Sequence, residues 1–284
     1  MGENQSGAWF VRDLLDRHGF KFSKALGQNF LIDANIPEKI VRLSGIDETC
    51  TVVEVGPGIG ALTMQLCRAS GKVIAVELDD RLLPILSDTL AKYKNVEVVS
   101  GDILKLDMNK LIGARFDGLR YAVCANLPYN ITSPALITLI NTNIFEQLTV
   151  MVQREVAWRM CATPGSADYS AFSVFINYHT EPEILFDVPP ECFMPRPKVH
   201  SSVVMLKTRK ERLLPPEEES RFFKVVRAAF GQRRKTLANA LHAAFGSVMT
   251  KSDIIDAIEK CGFDPRIRGE TLGIESFIKL AEYF

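Results

Sequence analysis

Short apolar runs bounded by glycine or acidic residues alternate with helical periodicity along most of the chain. The runs predict strands at residues 51–55, 71–76, 96–99, 121–125, 148–153, 183–187 and 201–207. Helical spacing predicts helices at 61–69, 80–93 and 172–179. Continuous apolar strands that alternate with helices are typical of a doubly wound α/β sheet, in which ligands bind at the carboxyl ends of the strands.

The hydrophobic pattern becomes helical in the last quarter of the chain. Apolar residues recur at helical spacing at Phe222, Val225, Val226, Ala229 and Phe230, then at Leu237 and Leu241, and again at Ile254, Ile255 and Ile258. The segment 213–219, rich in proline and glutamate, predicts a linker. We therefore place a domain boundary near residue 210, with an α/β domain over 1–210 and a helical domain over 211–284.

Composition restricts the class of protein. Hydrophobic residues make up 47% of the chain and charged residues 24%, as in an ordinary globular protein, and no apolar run is long enough to span a bilayer. The six cysteines are scattered without a Cys-x-x-Cys pair, which argues against zinc and against a disulfide framework. The N-terminus shows no basic-then-apolar leader pattern. We expect a cytoplasmic, monomeric protein with no metal and no membrane partner.

The charge is polarised although its sum is zero, with 34 basic and 34 acidic residues. Residues 220–252 contain no acidic side chain, but they contain Arg221, Lys224, Arg227, Arg233, Arg234 and Lys235. The last three follow Gly231, and we expect them to form a helix-entry turn that presents three cations to phosphate groups. The helical domain is therefore predicted to bind nucleic-acid phosphates, with Arg233, Arg234 and Lys235 as contacts.

A glycine-rich segment, Glu54-Val-Gly56-Pro-Gly58-Ile-Gly60-Ala61, joins the first predicted strand to the first helix. Alone it also fits a dinucleotide fingerprint, or a tight turn that binds nothing. Glu77 ends the second strand, where its carboxylate can accept ribose hydroxyls. Asp102 ends the third strand, where it can accept a hydrogen bond from an adenine amino group. Together these positions favour an adenosyl ligand without a pyrophosphate.

The tetrapeptide Asn126-Leu127-Pro128-Tyr129 follows the fourth predicted strand at the same edge of the sheet. The exocyclic nitrogen of adenine is a poor nucleophile, because its lone pair is delocalised into the ring. The Asn126 side-chain oxygen and the Leu127 or Pro128 carbonyl can accept its two N–H groups and orient it. Tyr129 offers a face on which a base removed from its stack can lie. The motif predicts methylation of an aromatic amine.

These motifs, in this order, resemble those of the rRNA adenine N6-dimethyltransferases. The matching segments are Gly27-Gln28-Asn29-Phe30-Leu31, Glu54 to Gly58, Asn126-Leu-Pro-Tyr129-Asn-Ile and Phe193-Met-Pro195-Arg-Pro197-Lys-Val199-His-Ser201. The resemblance extends from about residue 20 to residue 284, and residues 1–20 form an N-terminal extension that it covers least. Phe230 to Leu237 most favours the bacterial branch that acts on small-subunit (16S) rRNA.

The resemblance implies a fold, a cofactor and a set of site residues. The fold would be a seven-stranded, Rossmann-like methyltransferase sheet with a small helical C-terminal domain, and the cofactor would be S-adenosyl-L-methionine. Asn29 and Leu31 would contact its methionine part, Gly56 its loop, Glu77 its ribose and Asp102 its adenine. Gln28, Gly58, Leu78, Ile103 and Asn126 would complete the cofactor site. Asn126, Pro128, Tyr129 and Phe193 would form the catalytic site, with Phe193 facing Tyr129 across the target base.

The implied function is dimethylation of N6 in two adjacent adenosines of the 3′-terminal hairpin of small-subunit rRNA, within an assembling subunit. One alternative with the same chemistry is a dimethylase of the macrolide-resistance type, which acts on large-subunit rRNA. A DNA adenine methyltransferase is less favoured, because the sequence shows no additional target-recognition domain. A ribosome-assembly checkpoint factor and a nicotinamide-dependent oxidoreductase are alternatives from other classes.

Overall fold

A computed structural model describes residues 7–23, 26–113 and 120–284 of the 284-residue chain. Its contacts divide the chain into two compact units. One comprises the described part of Met1–Ala157 together with Glu183–Thr208, and the other comprises Trp158–Pro182 with Arg209–Phe284. In the ranges that the structure describes, no helix is long and apolar enough to cross a membrane.

The first unit contains a seven-stranded sheet, and all seven predicted strands are present. Their bounds are β2 Cys50–Val55, β3 Lys72–Glu77, β4 Val96–Ser100, β5 Arg120–Asn126, β6 Gln147–Gln153, β7 Thr180–Val188 and β9 Ser201–Thr208. The spatial order is β4-β3-β2-β5-β6-β9-β7. The five strands from β4 to β6 pair in parallel, and β9 runs antiparallel to β6. This confirms the doubly wound methyltransferase-type sheet.

The order of the strands reverses beside β2. The chain passes from β2 to β3 and β4 on one side, then returns to place β5 and β6 on the other. Such a reversal opens a crevice beyond the carboxyl ends of the two central strands. The glycine loop follows β2 and Asn126 ends β5, so the topology brings these two predicted motifs to adjacent strand ends.

Helices and a two-stranded ladder complete the first unit. The helices are α1 Ala8–Arg17, α2 Asn35–Ser44, α3 Ala61–Ala69, α4 Leu83–Leu90, α5 Met108–Gly113, α6 Thr132–Asn141 and the start of α7 Arg154–Met160. The predicted helix 80–93 is shorter than expected: a 3-10 turn at Asp80–Leu82 precedes α4. Strands β1 Phe30–Leu31 and β8 Phe193–Met194 pair antiparallel.

The N-terminal extension is partly outside the described residues, which begin at residue 7. Helix α1 buries Val11, Leu14 and Leu15 in a cluster that also contains Ile85 and Leu86 of α4. The apolar spacing of α1 therefore gives this extension a structural role, because it covers part of the unit's hydrophobic core.

The second unit is helical, as the C-terminal pattern predicted. It contains α8 Ala171–His179, α9 Pro216–Gly231, α10 Leu237–Phe245, α11 Lys251–Lys260 and α12 Ile274–Ala281. Phe222 and Phe277 are fully buried at its centre. Residues 158–182 belong here although the hydrophobic pattern gave no sign of it: Tyr169 is buried in the same cluster, and its hydroxyl donates to the Leu272 carbonyl at 3.0 Å.

The predicted linker at 213–219 is wrong in its second half, because α9 already begins at Pro216. Proline is favoured in the first turn of a helix, where its missing N–H has no partner to lose. Glu217, Glu218 and Glu219 then occupy the first turn, where negative charge is stabilised by the helix dipole. The composition that suggested a linker is the signal of a helix start.

Candidate active site

A cleft of about 990 Å³ opens at the carboxyl ends of the central strands. Its walls come from the glycine loop after β2, the end of β3, the turn after β4, the loop after β5 and the segment 26–31. The predicted residues Gln28, Asn29, Leu31, Gly56, Gly58, Glu77, Leu78, Asp102, Ile103, Asn126, Pro128 and Tyr129 all line it. That volume includes the open mouth of the cleft, and the walls combine polar groups with apolar side chains, as in small-molecule sites.

The glycine loop has a backbone that other residues rarely adopt. Gly56 and Gly58 have φ values of 68° and 60°, in the left-handed region that favours glycine. A Cβ on Gly58 would meet the Phe30 ring at 3.0 Å, and one on Gly56 would approach Pro128 at 3.6 Å. The loop is therefore packed closely between the N-terminal segment and the loop after β5.

Glu77 ends β3 as a buried carboxylate, 5% exposed. Its Oε2 accepts a hydrogen bond from the Gly58 N–H at 3.2 Å, and its Oε1 accepts one from the Asp79 N–H at 2.8 Å. Burial raises the pKa of Glu77, and these N–H groups oppose the rise. A carboxylate has room for about four hydrogen bonds, so Glu77 retains acceptor capacity for a ligand.

Asp102 lies in the turn after β4, where the third strand was predicted to end. Its Oδ1 accepts from the Leu104 N–H at 3.0 Å, and Lys105 Nζ lies 3.5 Å from its Oδ2. The adjoining wall is apolar: Ile103 is buried, whereas Leu78 is 53% exposed within the cleft. This end of the cleft combines one carboxylate with hydrophobic surface, which suits a flat heterocycle with an amino group.

Asn126 is oriented by the N-terminal segment. Its Nδ2 donates to the backbone carbonyl of Asn29 at 3.2 Å, and the Asn29 side chain in turn donates to the Gly27 carbonyl at 3.0 Å. Because the amide nitrogen of Asn126 is engaged in this way, its Oδ1 is the atom left to accept a hydrogen bond from a ligand.

The two backbone carbonyls that sequence reasoning left open differ in the structure. The Pro128 oxygen accepts from the Ile131 N–H and from Thr132 Oγ1, each at 3.2 Å. The Leu127 N–H donates to Met151 at 3.1 Å, and no hydrogen bond to the Leu127 oxygen forms among the described residues. The Leu127 carbonyl is therefore the better acceptor for a second N–H group.

Tyr129 is half-buried and held at its hydroxyl. The phenol oxygen lies 2.7 Å from Ser201 Oγ, at the start of β9. Burial raises the pKa of Tyr129, and its hydrogen bond with Ser201 opposes the rise. This contact holds the hydroxyl end of the ring in place beside the cleft.

The ring of Phe193 is buried in the core and is not exposed at the cleft. It is 3% exposed, pairs with Leu31 across the β1–β8 ladder, and belongs to a core cluster that includes Met151 and Val203. It does not line the cleft. A base can lie against Phe193 only if part of its ring becomes uncovered.

The side chain of Gln28 is already committed to protein contacts. Its Nε2 donates to Asp79 Oδ2 at 2.8 Å, and its Oε1 accepts from the Ser23 N–H at 3.0 Å. Its predicted contact with a cofactor is thereby limited to its backbone and aliphatic carbons.

The three predicted RNA-contacting cations occupy the turn between α9 and α10 of the helical unit, and all are exposed. Arg233 is tied to that unit, since its Nη2 donates to the carbonyls of Ala167 and Tyr169 at 3.0 and 3.3 Å and lies 3.4 Å from Glu270. The side chains of Arg234 and Lys235 form no hydrogen bond or ion pair within the described part of the chain. The structure thus separates one anchored cation from two free ones.

Comparison with known proteins decides the family. A family model for ribosomal RNA adenine dimethylase matches residues 19–269, most of the chain. The chain belongs to the ribosomal RNA adenine dimethylase family. This dimethylase is an enzyme that uses S-adenosyl-L-methionine as its methyl donor, which confirms the activity and cofactor predicted from the sequence.

Curated relatives cover nearly the whole chain. A ribosomal RNA small subunit methyltransferase A from Lachnoclostridium phytofermentans is 45% identical over 272 residues, covering 95% of this chain and 94% of its own. A protein of the same name from Pelotomaculum thermopropionicum is 45% identical over 281 residues, with 96% and 95% covered.

Solved structures show the same fold. A dimethyladenosine transferase from Plasmodium falciparum superposes with a TM-score of 0.76 at 26% identity, covering 88% of this chain and 95% of the other. The 23S rRNA methyltransferase ErmE superposes with a TM-score of 0.68 at 25% identity, covering 89% and 98%.

The residues of the cleft fit S-adenosyl-L-methionine. The glycine loop lines the cleft with its backbone, the buried Glu77 keeps acceptor capacity for hydroxyls, and Asp102 lies beside apolar surface. When bound, the cofactor supplies an electrophilic methyl group on a sulfonium, whose leaving group is neutral. The described residues contain no group of three or more side chains that could hold a metal ion.

Sequence reasoning missed the groups that orient the site. These are the Asn29 carbonyl, Thr132, Ser201 and Asp79. The contacts of the Asn29 carbonyl, Ser201 and Asp79 join distant parts of the chain, and no local motif indicates them. The Thr132 contact is local, because it reaches back four residues to Pro128. Asn29 lies within the Gly27-to-Leu31 motif, and Ser201 ends the Pro197-to-Ser201 motif. Their place in these motifs is the signal in the sequence that could have indicated them.

Proposed function

We propose that this enzyme transfers methyl groups to N6 of two adjacent adenosines in the 3′-terminal hairpin of small-subunit rRNA. The single observation that carries the mechanism is the orientation of Asn126, whose Nδ2 is held by the Asn29 carbonyl. The names of the 45% identical relatives support the small subunit as the substrate.

The proposed catalytic step depends on two acceptors. Asn126 Oδ1 and the Leu127 carbonyl oxygen each accept a hydrogen bond from one of the two N–H groups of the adenine amine. These bonds draw the amine out of conjugation with the ring and concentrate its lone pair on nitrogen as it pyramidalises. In each transfer the C–N bond forms as the C–S bond of the sulfonium breaks, and the methylated nitrogen releases one proton to solvent. After the first transfer one N–H remains, so one acceptor suffices to orient the nitrogen for the second. Pro128 shapes the loop and does not use its carbonyl, because that oxygen is already occupied.

The proposed cofactor contacts follow the walls of the cleft. Glu77 accepts the ribose hydroxyls and Asp102 the adenine amino group, while Leu78 and Ile103 supply apolar contact. Gly56 and Gly58 allow close approach of the ligand to the backbone. Asn29, Leu31 and Asn126 lie near the methionine end. Gln28 contributes through its backbone, since its side chain binds Asp79.

The target base is proposed to stack on Tyr129, whose hydroxyl is held by Ser201. Base–aromatic stacking contributes about 1–3 kcal/mol. Phe193 is proposed as the opposing ring, and because it is 3% exposed, its engagement requires a local shift of the β1–β8 ladder.

RNA contact by the helical unit is proposed to depend on Arg234 and Lys235, with Arg233 holding the turn in place. Two phosphate contacts account for a slope of only about −2 in a plot of the logarithm of the binding constant against the logarithm of the salt concentration. Shape recognition of folded rRNA must supply the rest of the affinity. We further propose that the enzyme acts as a monomer in the cytoplasm during assembly of the small subunit.

The experiment that tests this function compares substrates. Purified enzyme and labelled S-adenosyl-L-methionine are incubated with unmethylated small-subunit particles and, separately, with large-subunit rRNA. The proposal expects label in the small-subunit rRNA alone. Label only in the large-subunit rRNA would identify an enzyme of the macrolide-resistance type instead.

A further inference from the structure

Asp79 is a buried carboxylate, with its side chain 6% exposed, and it lies two residues after Glu77. Arg81 binds it with both arms of its guanidinium: Nε lies 2.8 Å from Oδ1, and Nη2 lies 2.6 Å from Oδ2. Gln28 Nε2 donates to the same Oδ2 at 2.8 Å. The hydrogen bonds from Arg81 are the main cause that lowers the pKa of Asp79, so the group is ionised at neutral pH.

Asp79 and Arg81 together hold the N-terminal segment at several points. Gln28, bound to Asp79, also accepts from the Ser23 N–H. Arg81 Nη1 donates to the Lys21 carbonyl at 3.3 Å, and its guanidinium lies 5.2 Å from the centre of the Phe20 ring. Four positions between residues 20 and 28 are thus connected to this pair, directly or through Gln28.

The same residues connect to the cofactor cleft on both sides. The Asp79 N–H donates to Glu77 Oε1 at 2.8 Å, which orients that carboxylate. The segment that Gln28 anchors lines the cleft from residue 26 to residue 31, and its Phe30 ring packs on Gly58. The Asn29 carbonyl that orients Asn126 lies one residue beyond Gln28.

We propose that Asp79, with Arg81 and Gln28, forms a clasp that holds the N-terminal segment against the cleft and thereby controls how long the cofactor stays bound. Asp79 is a positioning residue: it touches Glu77 and Gln28, and not the reacting atoms. The inference rests on the proposed assignment of this cleft to the cofactor.

The clasp predicts a change in residence time. Asp79→Asn keeps the volume of the side chain but replaces one acceptor oxygen by a donor, which faces the donors of Arg81 and Gln28. Loss of a hydrogen bond to a charged group corresponds to about a tenfold change in an equilibrium constant or more. We expect S-adenosylhomocysteine to dissociate about tenfold faster, and KM for S-adenosyl-L-methionine to rise by about the same factor, while kcat falls by a smaller factor than KM rises.

A double variant, compared with Gln28→Glu alone, makes the prediction specific to the contact between residues 79 and 28. Combining Asp79→Asn with Gln28→Glu exchanges the donor and the acceptor, so that the new amide at position 79 donates to the new carboxylate at position 28. The amide oxygen at position 79 still accepts from Arg81 Nε, but the exchange does not restore the acceptor of Arg81 Nη2. We expect the double variant to recover part of the loss, with a dissociation rate between those of the unaltered enzyme and Asp79→Asn, whereas Gln28→Glu alone, which opposes two carboxylates, weakens binding.

The matched control is Asp80→Asn, which removes the same charge one residue away, from an exposed side chain that contacts Ser100. The test measures the dissociation rate of labelled S-adenosylhomocysteine from the full chain. A rate for Asp79→Asn equal to that of Asp80→Asn, or failure of the double variant to recover, would overturn the clasp. If Asp79→Asn does not fold, Gln28→Ala serves in its place, with the same accelerated dissociation expected and an unchanged rate contradicting the proposal.

Glu77→Ala separates this proposal from the assignment of the cleft. Unchanged cofactor affinity in Glu77→Ala means that the cleft is not the cofactor site, and both proposals then fail. If Glu77→Ala weakens cofactor binding but Asp79→Asn leaves the dissociation rate unchanged, the clasp is wrong and the assignment of the cleft stands.

Discussion

The side-chain amide nitrogen of Asn126 donates to the backbone carbonyl of Asn29, 97 residues earlier in the chain, at 3.2 Å. This hydrogen bond decides which atom of Asn126 faces the cleft. It links the segment before β1 to the strand end that carries the acceptor for the substrate amine. The chemistry of the site therefore depends on a tertiary contact as much as on the residue itself.

The first prediction concerns Asn126→Asp. The carboxylate cannot donate to the Asn29 carbonyl, so the two oxygens repel each other and the acceptor loses its orientation. We expect single-turnover methyl transfer to fall about 10²–10³-fold, the usual effect of removing one preorganised hydrogen bond at a reacting centre. The exposed Asn239→Asp in the helical unit is the matched control. A rate within about threefold of the unaltered enzyme would contradict this role.

The second prediction concerns Phe193, which is both a core residue and a proposed stacking partner. Phe193→Leu keeps most of the buried volume, and we expect it to lower the free energy of unfolding by about 1 kcal/mol. It removes the aromatic face, so kcat should fall about tenfold. Denaturant unfolding and initial rates measure the two effects. An unchanged rate would leave Phe193 with a packing role only.

Truncation of the same residue gives the comparison. Phe193→Ala leaves a cavity in the cluster that includes Leu31 and Met151. We expect a loss of about 3–5 kcal/mol of stability. A much smaller loss would show that the ring is not held in the core as the structure has it.

The third prediction separates the cations of the α9–α10 turn. Arg234→Glu with Lys235→Glu should weaken RNA binding and make the slope of log K against log salt shallower by about 2, with cofactor affinity unchanged. Arg233→Gln should instead destabilise the helical unit by about 1 kcal/mol, because the carbonyls of Ala167 and Tyr169 lose their donor. Binding measured at several salt concentrations, together with thermal unfolding, tests both. Equal effects of all three substitutions on stability would refute the distinction.

The fourth prediction is a pH dependence that arises from Glu54, which is 1% exposed beneath the glycine loop. Burial raises its pKa to about 8, from 4.5 for an ordinary glutamate, and the charge of Glu77 adds to the shift. Between these two values the folded chain holds a proton that the unfolded chain has released. Folding is therefore favoured at low pH, and the contribution is lost as pH rises towards 8.

Glu54→Gln removes this titration. Relative to the unaltered protein, the variant should gain stability as pH rises, with a limiting slope of about 1.4 kcal/mol per pH unit. Chemical denaturation between about pH 5 and pH 8 measures the difference. Parallel stability curves for the two proteins would show that Glu54 does not hold a proton in the folded state.

The sheet was predictable because each strand carries its own local signal. The apolar runs that became β2, β3 and β5 are continuous, buried and followed by Gly56, Glu77 and Asn126. The β1–β8 ladder was not predictable, because two residues per strand are too few to show a period. The start of α9 was misinterpreted because proline and glutamate serve both linkers and helix N-termini.

The site was predictable to the level of residues but not of atoms. Motif order indicated Glu77, Asp102 and Asn126 at neighbouring strand ends, and the structure brings them to one cleft. Sequence alone did not show which carbonyl beside Asn126 is open, since that depends on Thr132 and on the turn at Ile131. The Asp79 contact with Gln28 spans 51 residues and has no local signature.

The most direct test is mass spectrometry of oligonucleotide fragments of unmethylated small-subunit rRNA after incubation with the enzyme and S-adenosyl-L-methionine, run in parallel with Asn126→Ala. We predict N6,N6-dimethyladenosine at two adjacent positions of the 3′-terminal hairpin with the unaltered enzyme, and none above background with the variant. Dimethyladenosine formed at an undiminished rate by Asn126→Ala, or its absence from small-subunit rRNA treated with the unaltered enzyme, would contradict it.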